Sequence, residues 1–175
     1  RGLMGYTSRF LTLTKGTGVI NRTFHSFGEY AGDLDGRRNG ALVSMENGKA
    51  VAYAIFNLQD RGEFFITHND PVYEGMIVGL GSKSGDLVVN VLKGKKLTNV
   101  RASGADENVV LTPVRNMSIS EMLGMLNTDE ALEITPKSCR LRKAILNPHE
   151  RKRQATFRKG ALIDSFERSG VCKKN

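Results

Sequence analysis

The sequence predicts an α+β fold, a mainly antiparallel and barrel-like β domain accompanied by a few helices. Three observations predict it. Between residues 41 and 92, apolar segments of five to nine residues alternate with polar connectors of four to eight. Connectors that short join antiparallel neighbours, whereas a parallel crossover between consecutive strands needs a dozen residues or more. Helix start signals cluster outside that region, at residues 5–14, 118 and 147. Finally, one polar stretch of about fifteen residues, 93–107, separates two apolar segments that would otherwise form a hairpin.

The elements follow in order. In GYTSRFLTLT (5–14), Tyr6, Phe10 and Leu13 fall at spacings of four and three, the mark of one helical face, and Lys15-Gly16 supplies a basic last turn and a stop. TGVINRTFHSF (17–27) is rich in β-branched and aromatic residues and predicts a strand. GEYAGDLDGRRNG (28–40) carries four glycines and marks a boundary. ALVSM (41–45) and AVAYAIFNL (50–58) are predicted as a hairpin across Asn47-Gly48, a pair that tolerates positive φ. EFFIT (63–67), MIVGLG (76–81) and LVVNVL (87–92) continue the sheet, and NVVLTPV (108–114) rejoins it after the long loop. Ser118 and Glu121 form a capping box ahead of Met122, Leu123 and Leu126. LEIT (132–135) and CRLRKAIL (139–146) predict two more strands; Asn147, Pro148 and Glu150 then open a last helix. The tail SGVCKKN has no feature that would order it.

Bulk properties bound the function. The 175 residues, 39% hydrophobic, suffice for one domain or for a domain with a fragment of another, and no apolar run approaches the length of a membrane span. The N-terminus has neither an initiator Met nor the layout of a signal peptide, as expected of a chain that begins mid-protein. Cys139 and Cys172 lie far apart without CxxC spacing, which predicts reduced thiols and excludes a zinc site. The net charge of +8 is segregated: residues 1–136 carry −1 and residues 137–175 carry +9. A basic end of this kind is the usual footprint of a polyanion partner; a solvated helix face with a loose tail is the alternative.

No motif carries convincing chemistry. GLGSKSG (79–85) precedes a strand and lacks the GxxxxGK[ST] order of a phosphate loop, so a hairpin turn is expected there. His25, His68 and His149 are scattered, with His68 expected as a solvated turn residue. Asp129, Glu130 and Glu133 are expected to form a solvated acidic face. GRRNG (36–40) offers two guanidinium groups suited to phosphates, and equally a surface turn or an ion pair to Asp33 or Asp35. The 93–107 loop is the stronger candidate. Lys93, Lys95, Lys96 and Arg101 can meet phosphates, Asn99 can reach base edges or backbone groups, and Gly94 and Gly104 permit extension. Its lack of aromatic residues favours backbone or shape recognition over base stacking. A disordered insertion is the alternative.

At these residues a family resemblance emerges. RGLMGYTSRFLT, TKGTGVINRTFHSF, GRRNGALVSMENGKAVAYAIFNLQDRGEFFI, VYEGMIVG, GKKLTNVRASGADE and ITPKSCRLRK together resemble the C-terminal part of the BipA/TypA family of ribosome-associated translational GTPases, over residues 1–153. The resemblance implies that residues 1–32 are the last helix and strand of a ferredoxin-like unit similar to domain V of elongation factor G. Residues 33–153 would then be the family's C-terminal domain, followed by a basic tail at 154–175. It implies a noncatalytic, RNA-binding chain: the parent protein would hold GTP and Mg, whereas no cofactor or small-molecule substrate is expected here. The implied partners are the ribosome, rRNA and the acceptor arm of A-site tRNA, with no membrane, in the bacterial cytoplasm. Carried over by position, Lys93, Lys95, Lys96, Asn99 and Arg101 fall in the tRNA-approaching loop, and Arg140, Arg142 and Lys143 in a basic segment. Half a ferredoxin-like unit cannot cover its own apolar face, so Phe10, Ile20 and Phe24 are expected to pack on the rest of the chain or on a neighbour. The competing class is a protein-interaction or scaffolding module with a solvated basic tail.

Overall fold

A computed structural model describes residues 3, 6–29, 37–94 and 110–157, the side chains of residues 8 and 9 apart. Its architecture is α+β. A four-stranded sheet has the order β3-β5-β1-β6, built from Gly62–Phe64, Ile77–Gly81, Ala41–Ser44 and Leu87–Val89. β1 is ALVS with all four residues buried, as befits a central strand covered on both faces. Leu42 and Val78 join Ile55, Phe64 and Val91 in one core cluster; Ala41, Val43 and Ile77 join Leu141 in a second. The sheet is therefore the partition between two cores.

One core is closed by helix α2 (Ala52–Leu58), and this overturns the expected hairpin. Within AVAYAIFNL, residues 52–58 form a helix because Ala54 and Ile55 are buried and Leu58 packs beside them, a one-sided stripe at i, i+1 and i+4. A continuous apolar run carries no period-2 signal of its own, and its three alanines favour the helix. Asn47-Gly48 accordingly does not return the chain along β1. Gly48–Lys49 (β2) pairs with Pro71–Val72 (β4), and Asn47 Oδ1 accepts from the Glu74 N–H at 2.8 Å.

The second core is closed by α3 (Ile119–Met125) and an antiparallel ribbon of β7 (Glu130–Ile134) and β8 (Cys139–Lys143). Leu132, Leu141, Met122 and Leu126 cover the sheet there. The ribbon is tied on by Lys143 N–H donating to Gly75 O at 2.9 Å. The expected capping box is present: Ser118 Oγ accepts from Glu121 N at 3.3 Å, and Glu121 Oε2 accepts from Ser118 N at 2.9 Å. Residues 148–157 form helix α4, with Asn147 Oδ1 accepting from His149 N as its cap.

Three further expectations give way. β6 runs parallel to β1, in the register Leu42↔Leu87, because it follows β5 through Ser82–Asp86 and then docks on the far side of β1 instead of forming a hairpin with β5. The short-connection argument holds for consecutive strands, and β1 and β6 are not consecutive. The sheet is thus mixed and, among the described residues, does not close into a barrel. Residues 110–118 form no strand; Arg115 N donates a single bond to Phe64 O at 3.3 Å.

Residues 17–29 form no strand either. β-branched composition favours a strand, but the backbone needs a partner, and none pairs with this segment among the described residues. Helix α1 (Tyr6–Leu13) is present and touches α3. Phe10 and Ile20 are half-buried, whereas Phe24 is exposed and meets Phe27 edge to face at 5.2 Å.

Candidate nucleic-acid interface

The residues flanking the segment predicted as a long loop, 91–92 and 110–112, form two feet at opposite ends of α2. At the first, Val91 is buried in the core and its carbonyl accepts from the Val51 N–H at 2.9 Å, at the N-terminal end of the helix. Leu92 lies against Gly48, where a Cβ would sit 2.7 Å from a Leu92 methyl. At the second foot, Gln59 follows the helix and clamps the returning chain. Its Oε1 accepts from Thr112 N at 2.5 Å and from Thr112 Oγ1 at 3.0 Å, while Nε2 donates to Val110 O at 3.4 Å. Leu111 packs on the core between those bonds. A seven-residue helix is about 10 Å long, so the feet are held apart by a rigid spacer. Lys93 is exposed at the first foot. Lys95, Lys96, Asn99 and Arg101 lie outside the described residues.

The β8 cations separate into two kinds by strand alternation. Arg140 and Arg142 are on one face, half-buried beside Glu133, which is directly opposite Arg140 in register. Arg142 Nε approaches Glu133 Oε2 at 4.0 Å, and its Nη1 donates to Lys143 O at 3.2 Å. Tyr73 Oη donates to the same Glu133 oxygen at 2.6 Å; burial first, then this hydrogen bond, pushes its pKa up to about 12. These arginines keep partial solvent access.

Lys143 is on the other face and does not. Its side chain is 1% exposed, and Nζ lies 2.8 Å from Asp129 Oδ2 and 2.8 Å from Glu130 Oε1, with Asp86 as a third carboxylate partner. Burial alone would lower its pKa, but hydrogen bonds to Asp129, Asp86 and Glu130 outweigh that and raise it. Burial likewise pushes the Asp86 carboxyl up, and the Lys143 and Ala41 N–H bonds with the nearby cations overcome this and hold it below the usual range. An ammonium group surrounded in this way is not available to a phosphate. The basic-segment expectation is therefore corrected at Lys143, which holds the ribbon to the sheet.

Arg37 completes the network. Its guanidinium binds Glu130 in a two-pronged pair, Nη1 to Oε2 at 2.7 Å and Nη2 to Oε1 at 2.5 Å, and donates to Asn39 O and Met125 O. The Glu130 side chain is fully buried and also accepts from Asn127 N. So the GRRNG turn spends its first arginine inside the fold on Glu130, while Arg38 is exposed; Asp33 and Asp35 lie outside the described residues. Asp129, Glu130 and Glu133 are all engaged, and no solvated acidic face forms. The missed signal was in the sequence: with Leu132 opposite Leu141, Glu130 necessarily falls opposite Lys143 on the same inward face.

His25 and His149 are exposed and apart, and His68 Nδ1 accepts from Ala52 N at 3.2 Å, capping α2 and not merely facing solvent. Among the described residues no three His, Cys, Asp or Glu side chains are grouped to hold a metal ion, and no helix is long and apolar enough to cross a membrane.

Fold and feet define a class: an α+β domain whose sheet and α2 hold both ends of a cation-bearing segment. Residues 39–148 match the TypA/BipA C-terminal domain. The chain is 51% identical over 162 residues, 92% of its length, to the large ribosomal subunit assembly factor BipA of Bacillus subtilis. It is 49% identical over 154 residues, 87% of its length, to the proteins of that name from Salmonella typhimurium and Escherichia coli K12. The chain belongs to the TypA/BipA family, and it spans about a quarter of the length of these relatives.

Proposed function

We propose that this chain is the noncatalytic, ribosome-docking region of a bacterial cytoplasmic translational GTPase. The loop at 93–107 contacts rRNA and the acceptor arm of A-site tRNA, and GTP with Mg is handled by the parent protein outside these residues. One observation carries the reading: two feet bonded to opposite ends of α2 bracket a stretch of sequence with four cations, Lys93, Lys95, Lys96 and Arg101. The relatives' name, a large ribosomal subunit assembly factor, supports the same partner. Arg140 and Arg142 contribute a second, weaker cationic patch, and Lys143 contributes none.

Ordering a polar loop costs about 1 to 2 kcal/mol per fixed residue, so charge-assisted contacts and counterion release have to offset a large entropy loss. Four neutralised phosphates at a slope of about −0.7 each predict a salt dependence of roughly −3 in log affinity against log salt. The test is ribosome co-sedimentation of the chain across a salt series, with Lys95→Ala/Lys96→Ala/Arg101→Ala beside it. The triple variant is expected to bind at least tenfold more weakly with a slope shallower by about 2. Unchanged affinity and slope would remove the loop from the mechanism.

The exposed Phe24–Phe27 pair favours a second reading, a protein-interaction or scaffolding module. Pull-down after nuclease treatment separates the two, because only a protein contact survives loss of RNA.

A further inference from the structure

Resting on that reading of the loop, we propose that the cavity beside the C-terminal end of α2 is a pocket for one nucleotide of the RNA strand the loop engages. The cavity holds about 410 Å³, within the usual range for small-ligand sites. Its walls come from separate parts of the chain: Asn57 in the last turn of α2 with Asp60 and Arg61 just after it, Lys83 in the β5–β6 turn, Leu42 from β1 and Leu87 from β6.

The chemistry of the lining is that of a nucleotide. Arg61 and Lys83 are exposed at the cavity, and neither has a carboxylate within ion-pair distance among the described residues. Their neighbours differ: Arg37, Lys143 and Arg115 are each matched to a Glu or Asp. Two cations left unspent at one cavity, brought together where Ser82 N donates to Arg61 O at 2.9 Å, suit a phosphate. Asn57 donates its Nδ2 to Tyr53 O at 2.9 Å, which leaves its oxygen, together with the Asp60 carboxylate, to accept from ribose hydroxyls or base amino groups. Leu87, 38% exposed, offers an apolar surface for a base face, and the buried Leu42 lies beneath the cavity floor.

Position links this pocket to the loop. A second cavity of about 920 Å³ shares Gly81 and Ser82 with it and continues along Gln59, Thr112, Pro113 and Arg115 to the loop's second foot. Gln59 clamps that foot, and Asp60 and Arg61 come next in sequence. A strand held by the loop would meet this groove first and the pocket at its end.

The test is amide NMR titration of the chain with AMP, CMP, GMP and UMP, and with a single-stranded RNA tetranucleotide. Shifts are expected at Asn57, Asp60, Arg61 and Lys83. The tetranucleotide is expected to bind about tenfold more tightly than any mononucleotide, because the groove adds contacts. Arg61→Ala/Lys83→Ala should weaken both about tenfold, with Arg61→Lys/Lys83→Arg retaining most of the affinity and both variants showing unaltered circular dichroism. The alanine pair should also make the ribosome salt slope shallower by about 0.7, for one phosphate. No shifts at these residues with any probe, or an alanine pair that binds as wild type, overturns the pocket. Equal affinity for mononucleotide and tetranucleotide overturns its assignment to an RNA strand. Loss of ribosome binding in the loop triple variant with no shifts here sinks the pocket alone. Shifts here with an unaffected loop variant sink the loop reading alone.

Discussion

Replacing Lys143 by Met isolates the role assigned to its ammonium group. Met keeps most of the side-chain volume, so the change removes charge more than packing. Three carboxylates lose a partner, but not equally. Glu130, whose side chain is 0% exposed, loses one of two cations while Arg37 remains bound to it by two hydrogen bonds. Asp86 and Asp129 are 36% and 48% exposed and can recover water, so each of those losses is worth about 0 to 1 kcal/mol. Removing one partner of a buried pair costs about 3 to 5 kcal/mol, and the surviving Arg37 places this case at the lower end, about 3 kcal/mol. For a chain of this size that corresponds to a fall in Tm of about 6 to 12 °C. Thermal and urea melts followed by circular dichroism measure it. A double-mutant cycle with Glu130→Gln should return a coupling of about 1.5 kcal/mol or more, since the double variant leaves no orphaned carboxylate at Glu130. A Tm within about 2 °C of wild type, or additive single effects, would refute the account of Lys143 as the buried tie between ribbon and sheet.

The same cluster sets a pH window. Asp86, held below 3.8, stabilises the fold above that value and stops doing so as pH falls through its folded pKa. Lys143, held above 10.5, stabilises below that value and stops as pH rises through its folded pKa. The Tm gap between wild type and Lys143→Met should therefore be flat between pH 3.8 and 10.5 and narrow beyond both ends. A gap that shrinks near neutrality would contradict this. Gly62→Ala should cost about 2 kcal/mol or more in a urea melt, because its Cβ would sit 1.8 Å from Leu80 O on the paired strand; a loss under about 0.5 kcal/mol would show that β3 and β5 can part. Ser118→Ala should cost about 1 kcal/mol by removing the cap of α3, and Ser118→Asp should restore most of it.

Much of the local structure was determined by the sequence alone. The capping box at Ser118, the Asn147 start of α4 and the β7–β8 alternation are short-range rules, in which a residue's neighbours within four positions decide its conformation. The family resemblance was equally legible, because it rests on residue identity. Tertiary structure decided what short-range rules leave open. AYAIFNL became a helix because the sheet presented it with a surface for Ala54, Ile55 and Leu58, and an apolar run takes its period from what it packs against. Residues 17–29 carry strand composition, and no strand forms where the backbone finds no partner. β6 lies parallel to β1 because the free edge belonged to β1. The cations were sorted the same way. Charge counting treats Arg37, Arg61, Lys83 and Lys143 alike, yet two are spent inside the fold on Glu130 and two stand unspent at a cavity. Which cation can meet a phosphate depends on which carboxylates the chain has folded beside it, and that is a property of distance in space.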